Sequence, residues 1–134
     1  TYLDALNKAA QKLYRVRKSW ADEKSQIGAF TNLDSAKEMA NYNKGYKVFN
    51  SKGKGCYTPK QYYQKAIVKI ANAETKATFA SKSIYKKLAG GTQVSIYVNS
   101  EKVDSDNQTW VKIKYDGCPR SYVWIKKSCL MNIK

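Results

Sequence analysis

Histidine is absent from the 134 residues. That removes the commonest general base and the commonest zinc ligand together. Cysteine is scarce, at Cys56, Cys118 and Cys129. An odd, widely spaced set argues against a disulfide framework, and without a CxxC pair it offers no zinc motif. Free thiols are the plainer reading, while sequence distance leaves a Cys118–Cys129 bridge open. Apolar runs fall short of the roughly 18 residues of a membrane-spanning helix. No signal peptide is visible. The chain opens on Thr1 and not on Met, so it is expected to be part of something longer. Arginine contributes only Arg15, Arg17 and Arg120. Readers of base edges and phosphates favour arginine forks.

Acidic side chains are few as well. Ten Asp and Glu face 25 Lys and Arg, for a formal net charge of +15. A lysine-dominated excess of that size favours association with polyanions: nucleic acid, anionic lipid or anionic wall polymers. The plainer reading is a solvated lysine face, but small soluble domains usually carry a net charge of only ~2–8. Catalysis finds no footing. Without histidine no ordinary base stands near a Ser or Cys nucleophile, and the acidic residues sit in caps and loops, with no glycosidase-like pair. Asp104 and Asp106 resemble a fragment of a calcium loop, but the glycine and terminal glutamate of an EF-hand are missing. Neither a metal nor a cofactor is expected.

Apolar spacing predicts a helix over Tyr2–Leu13 and a strand over Leu13–Trp20. A short strand follows at Gln26–Phe30. Asn32 is placed to cap a helix whose inner stripe is Leu33, Ala36, Met39 and Ala40, with Asp34 in its first turn. Gly45 stops it. Tyr46–Phe49 and Gly55–Tyr57 form a strand pair around the turn Asn50–Gly53. Pro59 breaks the pattern, which divides the chain into residues 1–58, a linker at 59–65 and residues 66–134. The last segment reads as short strands: Ala66–Ile70, a weaker Thr75–Phe79, Thr92–Val98, Thr109–Tyr115 and Tyr122–Ile125, with Ser83–Leu88 leading into a turn. Turns fall at Gly90-Gly91 and Asp116-Gly117, and Glu101–Gln108 is a polar loop. The expected fold is α+β, a small ββαββ unit followed by a small β-barrel.

The run Thr109-Trp110-Val111-Lys112-Ile113-Lys114-Tyr115-Asp116-Gly117, then Trp124-Ile125-Lys126-Lys127-Ser128-Cys129-Leu130, resembles the end of a bacterial SH3-like domain. Leu88-Ala89-Gly90-Gly91-Thr92-Gln93-Val94 is similar to the step that precedes it in that family. Two segments depart from the family pattern. Glu74–Phe79 replaces the usual Leu-Asn-Val-Arg, and the Asp116–Tyr122 hairpin is longer. Both flank the family's ligand groove, so the groove's chemistry is not carried over intact. Upstream, Leu13–Trp20, Lys24–Phe30, Asn32–Lys37 and Gly45–Phe49 resemble a module appended to wall amidases of clostridia and their phages. Part of this stretch is similar to SPOR-type peptidoglycan-binding domains. Together the halves resemble the C-terminal wall-binding region of a clostridial phage endolysin.

The resemblance implies a non-catalytic peptidoglycan-binding module that targets an attached lytic enzyme to Gram-positive cells. Such a protein is made in the host cytoplasm, released at lysis (or secreted, in an autolysin) and acts at the cell wall. Stem or cross-bridge peptide is the implied partner, with anionic wall polymers as an addition, and neither nucleic acid nor membrane insertion is expected. Strand parity nominates the groove. Val111, Ile113 and Tyr115 share one face, which leaves Trp110, Lys112 and Lys114 on the other. The same parity sets Tyr97 opposite Val94, Ile96 and Val98, and Tyr122 and Trp124 opposite Val123 and Ile125. Trp110, Trp124, Tyr97, Tyr122 and Lys112 are therefore candidate ligand contacts. Arg15 and Arg17 are candidates for a stem-peptide carboxylate, against a plainer reading as solvated side chains. The rival reading is a basic, single-stranded nucleic-acid-binding barrel. An adaptor groove for Pro-rich segments is a third, and it leaves the charge unexplained.

Overall fold

A computed structural model describes residues 13–134. Apart from Leu13, the helix expected over Tyr2–Leu13 lies outside them. The fold is α+β, mostly antiparallel sheet with one α-helix among the described residues. The chain divides into two units between Tyr62 and Tyr63.

In the first unit, β1 (Tyr14–Arg17), β2 (Gly28–Phe30), α1 (Leu33–Asn41), β3 (Lys47–Phe49) and β4 (Gly55–Tyr57) follow in order. The sheet order is β2-β1-β3-β4. The side chain of Asn32 accepts from the backbone N–H of Asp34 at 2.7 Å and of Ser35 at 3.3 Å. It thereby satisfies donors that the first helical turn leaves unpaired. Ala36 and Ala40 are fully buried with Val16 and Val48, and Leu33 and Met39 pack at the margin. Two alanines at this spacing let the helix backbone approach the sheet closely.

β1 ends three residues earlier than the alternation predicts, and Arg17 shows why. Its Nε donates to Gln26 Oε1 and an Nη donates to the Trp20 carbonyl, both at 2.9 Å. The guanidinium lies 4.3 Å from the Trp20 ring centroid. Arg17 is only 7% exposed, so the expectation of a solvated side chain is corrected for it. A rigid fork of donors is satisfied here by the loop that it holds. Trp20 also packs on Phe49, with centroids 6.0 Å apart. A Cβ at residue 53 would stand 2.5 Å from Trp20 Nε1, and φ there is +85°. Both facts require the glycine.

The second unit contains β5 (Tyr63–Val68), β6 (Ala73–Lys76), β7 (Lys86–Leu88), β8 (Gln93–Tyr97), β9 (Lys102–Val103), β10 (Thr109–Tyr115), β11 (Val123–Lys126) and β12 (Leu130–Met131). Their order is β12-β5-β8-β10-β11-β6-β7, with β9 on β10. Edge strands β12 and β7 do not pair, so the sheet is open where a closed barrel was expected. Tyr63, Gln64 and Lys65, expected in the linker, are the first residues of β5. One face buries Val68, Val94, Ile96, Val111, Ile113, Val123 and Ile125. Thr75 is fully buried among them, and its hydroxyl donates to the Lys86 carbonyl at 2.7 Å. The four non-glycine residues with positive φ among the described ones are all asparagines: Asn72, Asn99, Asn107 and Asn132. Asparagine tolerates the left-handed region better than other side chains. The three cysteines are free thiols. Burial pushes the Cys129 thiol above its ordinary value.

Two substitutions test this account by urea denaturation. Ile113→Ala empties a fully buried site and is expected to cost about 2–5 kcal/mol. Asn32→Ala leaves the helix donors uncapped and is expected to cost roughly 1 kcal/mol.

Candidate functional site

Strand register sets out the second face of the same sheet. Tyr63 pairs with Tyr97, Lys112 with Trp124, and Trp124 with Lys76. Ile96 pairs with Ile113, which places Tyr97 beside Lys112 one step further on. A single row thus crosses five strands as Tyr63, Tyr97, Lys112, Trp124 and Lys76. Side chains alternate between faces along a strand. The row's neighbours on the same face are therefore Lys114 and Tyr122 on one side and Trp110 and Lys126 on the other. Trp110 and Lys126 pair directly, and so do Trp110 and Lys102.

The aromatic rings touch in sequence along this face. Tyr63 meets Tyr97 edge-on at 5.0 Å between centroids. Tyr97 meets Tyr122 at 5.8 Å, Tyr122 meets Trp124 at 6.3 Å, and Trp124 meets Phe79 at 5.2 Å. Lysine ammonium groups lie over the rings. Lys114 is 4.4 Å from the Tyr63 centroid and Lys112 is 4.3 Å from that of Tyr122. Lys102 and Lys112 are each 5.6 Å from that of Trp124. Lys76 is 4.1 Å and Lys126 5.7 Å from the Trp110 ring. Each such contact contributes about 0.5–2 kcal/mol, the upper end applying where water is excluded.

Trp110 is also held in the ring plane. Its Nε1–H donates to Asp104 Oδ2 at 2.8 Å. The other oxygen, Oδ1, accepts from the N–H of Asp106 and of Gln108, both at 2.9 Å. These bonds hold the Asp104 carboxyl below its ordinary value, the Gln108 N–H most strongly and the Trp110 indole next, with the Lys76 charge adding to them. Both oxygens are thus occupied, and no group of three or more metal-ligating side chains occurs among the described residues. Tyr97 donates to the Ser121 carbonyl at 2.5 Å. Burial, with Tyr63 beside it, pushes the Tyr97 phenol up to about 12. Tyr97 therefore remains a neutral donor at physiological pH.

Of the residues nominated from sequence, Trp110, Lys112, Trp124, Tyr97 and Tyr122 come together on this face. The two tryptophans do not form open groove walls: Trp110 is 5% exposed and Trp124 3%. Lysine ammonium groups lie over both rings, Lys76 and Lys126 at Trp110 and Lys102 and Lys112 at Trp124, and Phe79 and Tyr122 pack against Trp124. Tyr97 and Tyr122 are half-buried. Arg15 and Arg17 belong to the first unit, where Arg15 is half-buried and Arg17 is spent on Gln26 and Trp20. Sequence reasoning did not nominate Tyr63, Lys76, Phe79, Lys102, Lys126 or Asp104. Parity along β6, with Ala73 and Thr75 inward, would have indicated Lys76. No local signal indicates Lys102, which reaches Trp124 from a loop strand.

No protein-family model, curated protein or solved structure matches the chain.

The depressed Asp104 carboxyl has a consequence for stability. A carboxyl whose folded value is lowered stabilises the fold fully above its ordinary value of 3.8. That contribution is lost as pH falls through the lower folded value. The stability difference between the wild type and Asp104→Asn, read from urea melts, is expected to be widest near neutral pH and to narrow in acid. A difference that does not change with pH removes Asp104 from this role.

Proposed function

We propose that the chain is a non-catalytic peptidoglycan-binding module that holds an attached lytic enzyme at the wall of Gram-positive cells. The observation that carries the reading is the face built from Tyr63, Tyr97, Lys112, Tyr122, Trp124 and Lys76, set in a chain of net charge +15. Tyrosine edges give rigid, amphipathic contacts at low entropy cost. The lysines add long-range attraction to a negatively charged wall, which raises the on-rate and weakens with salt. In this reading the second unit is an SH3-like module with an open seam, and the first is a SPOR-like ββαββ unit. The resemblances of Thr109–Leu130 and Leu13–Phe49 to wall-binding modules support both assignments. Stem or cross-bridge peptide lies along Tyr97 and Tyr122, with Trp110 and Trp124 as the floor beneath. Weak sites in two units of one chain raise each other's effective concentration.

The rival reading takes the same basic, aromatic face as a single-strand nucleic-acid surface. Base stacking needs open rings, and burial of Trp110 and Trp124 weighs against it. A fluorescent fusion of the chain mixed with purified sacculi at physiological salt separates the two. The fusion is expected to sediment with sacculi and to bind an oligothymidylate weakly. Failure to sediment, together with tight oligonucleotide binding, overturns the proposal.

A further inference from the structure

The charge on this face is unusual in how little of it is neutralised. Lys76, Lys102, Lys112, Lys114 and Lys126 extend over one layer of rings, and none of them forms a salt bridge with another of the described residues. The nearby carboxylates are largely committed. Glu101 pairs with Lys127. Asp104 is bound by Trp110, Asp106 and Gln108. Glu74 stands one register step from the Trp124–Lys76 pair, opposite Lys126, and is the one acid facing the array from within the sheet. None of the five pairs directly with another across the strands. Lys112 and Lys114 are alternate residues of one strand, roughly 6.5–7 Å apart, and diagonal neighbours such as Lys112 and Lys126 are roughly 7–8 Å apart. Both spacings fall within the screening length of about 8 Å at physiological salt. The five ammonium groups therefore repel one another, and a polyanion laid across them relieves that repulsion and releases its own counterions.

Two features define what kind of polyanion fits. The array holds no arginine, so it lacks the planar fork that selects bidentate phosphate or base contacts. Compact ammonium groups on flexible stems suit phosphates whose orientation varies along a chain. The broad rings are covered, so the face offers no open stacking platform for bases. We infer that this face is a docking surface for a linear phosphodiester polymer of the bacterial envelope, with polyol or sugar repeats and no bases. It rests on the wall-binding proposal and names the class of wall polymer that the lysines engage.

The test uses the full 134-residue chain and poly(glycerol phosphate) as the probe, with affinity measured across a salt series. Lys76→Met, Lys112→Met and Lys114→Met, combined, keep the apolar stems over the rings and remove the charge. Lys24→Met, Lys44→Met and Lys52→Met, combined, remove the same charge from exposed positions of the first unit. The first triple variant is expected to lower the slope of log affinity against log salt by about 2, at roughly 0.7 for each lost phosphate contact. The second is expected to leave the slope nearly unchanged. The triple Lys→Arg variant at 76, 112 and 114 is expected to restore binding, which separates loss of charge from loss of fold. The wild-type slope is a check by itself, because a magnitude below about 2 is too small for three contacts and overturns the inference. Equal losses in the two Met variants overturn it in favour of diffuse charge. Tighter binding to an oligothymidylate of equal phosphate number, lost in the face variant, overturns it in favour of nucleic acid. Undiminished sedimentation with phosphate-stripped sacculi, with an unaltered polymer affinity in the face variant, overturns it while leaving wall binding intact.

Discussion

An antiparallel sheet can leave one face to water when that face is polar, but a face that carries aromatic rings must be covered as well. In the second unit one face does so in the usual way, with Val94, Ile96, Val111, Ile113, Val123 and Ile125 packed into a core. The opposite face carries Trp110, Trp124, Phe79 and three tyrosines, and no second layer of helix or sheet from that unit lies over them. Lysine side chains lie over the rings instead, with their ammonium groups 4.1–5.7 Å from the centroids. Burying one such ring removes roughly 150–250 Å² from water, a gross gain of about 4–6 kcal/mol at ~25 cal/mol/Å². The cation–π contribution of about 0.5–2 kcal/mol is smaller than this. Burial therefore does most of the work, and the attraction between ammonium and ring decides which cover is used. Register makes the arrangement possible, because each tryptophan is paired across the strands with lysines: Trp124 with Lys76 and Lys112, and Trp110 with Lys102 and Lys126.

That solution ties the stability of the sheet to its charge. An apolar cover would bury the rings as well but would leave a sticky surface. Lysine puts charge where an apolar cover would not, so the side chains that lie over the rings also form a dense positive array. Mutual repulsion among the ammonium groups is the accompanying cost. Asp104 offsets a little of it from the side, through the indole of Trp110 and its proximity to Lys76. In the first unit a related device works at smaller scale. Arg17 stacks on Trp20 and bonds to Gln26, and Gly53 leaves room for the indole.

Much of this was legible where the signal is local. The alternation in Thr109–Tyr115 separates Val111 and Ile113 from Trp110, Lys112 and Lys114, and the structure places them on opposite faces. Asn32 followed by the stripe Leu33, Ala36, Met39 and Ala40 marks the helix start within one residue. What failed depends on partners distant in sequence. Trp124 is buried with Phe79 packed against it and Lys102 over its ring, neither of which strand periodicity near residue 124 reveals. Arg17 looks solvated by alternation, because its acceptors lie in a loop that bends back on it. Pro59 suggests a linker up to Lys65, yet Tyr63 already belongs to a strand, since its partner Tyr97 lies 34 positions later. Closure of the barrel depends on whether the two edge strands meet, a property of register summed over all the strands.

A cover made of side-chain stems separates two things that most protein surfaces join. The methylenes carry the packing, and the terminal group carries the sign of the charge. Exchange of lysine for glutamine or methionine at Lys76, Lys102 or Lys126 keeps an unbranched side chain at each ring, gives up the ammonium–ring attraction of about 0.5–2 kcal/mol and recodes what the solvent meets. Descendants of this sequence therefore have room to change the surface chemistry of the sheet by single steps with its core untouched. Drift in the surface chemistry of this face is limited by electrostatics and not by the packing of the fold.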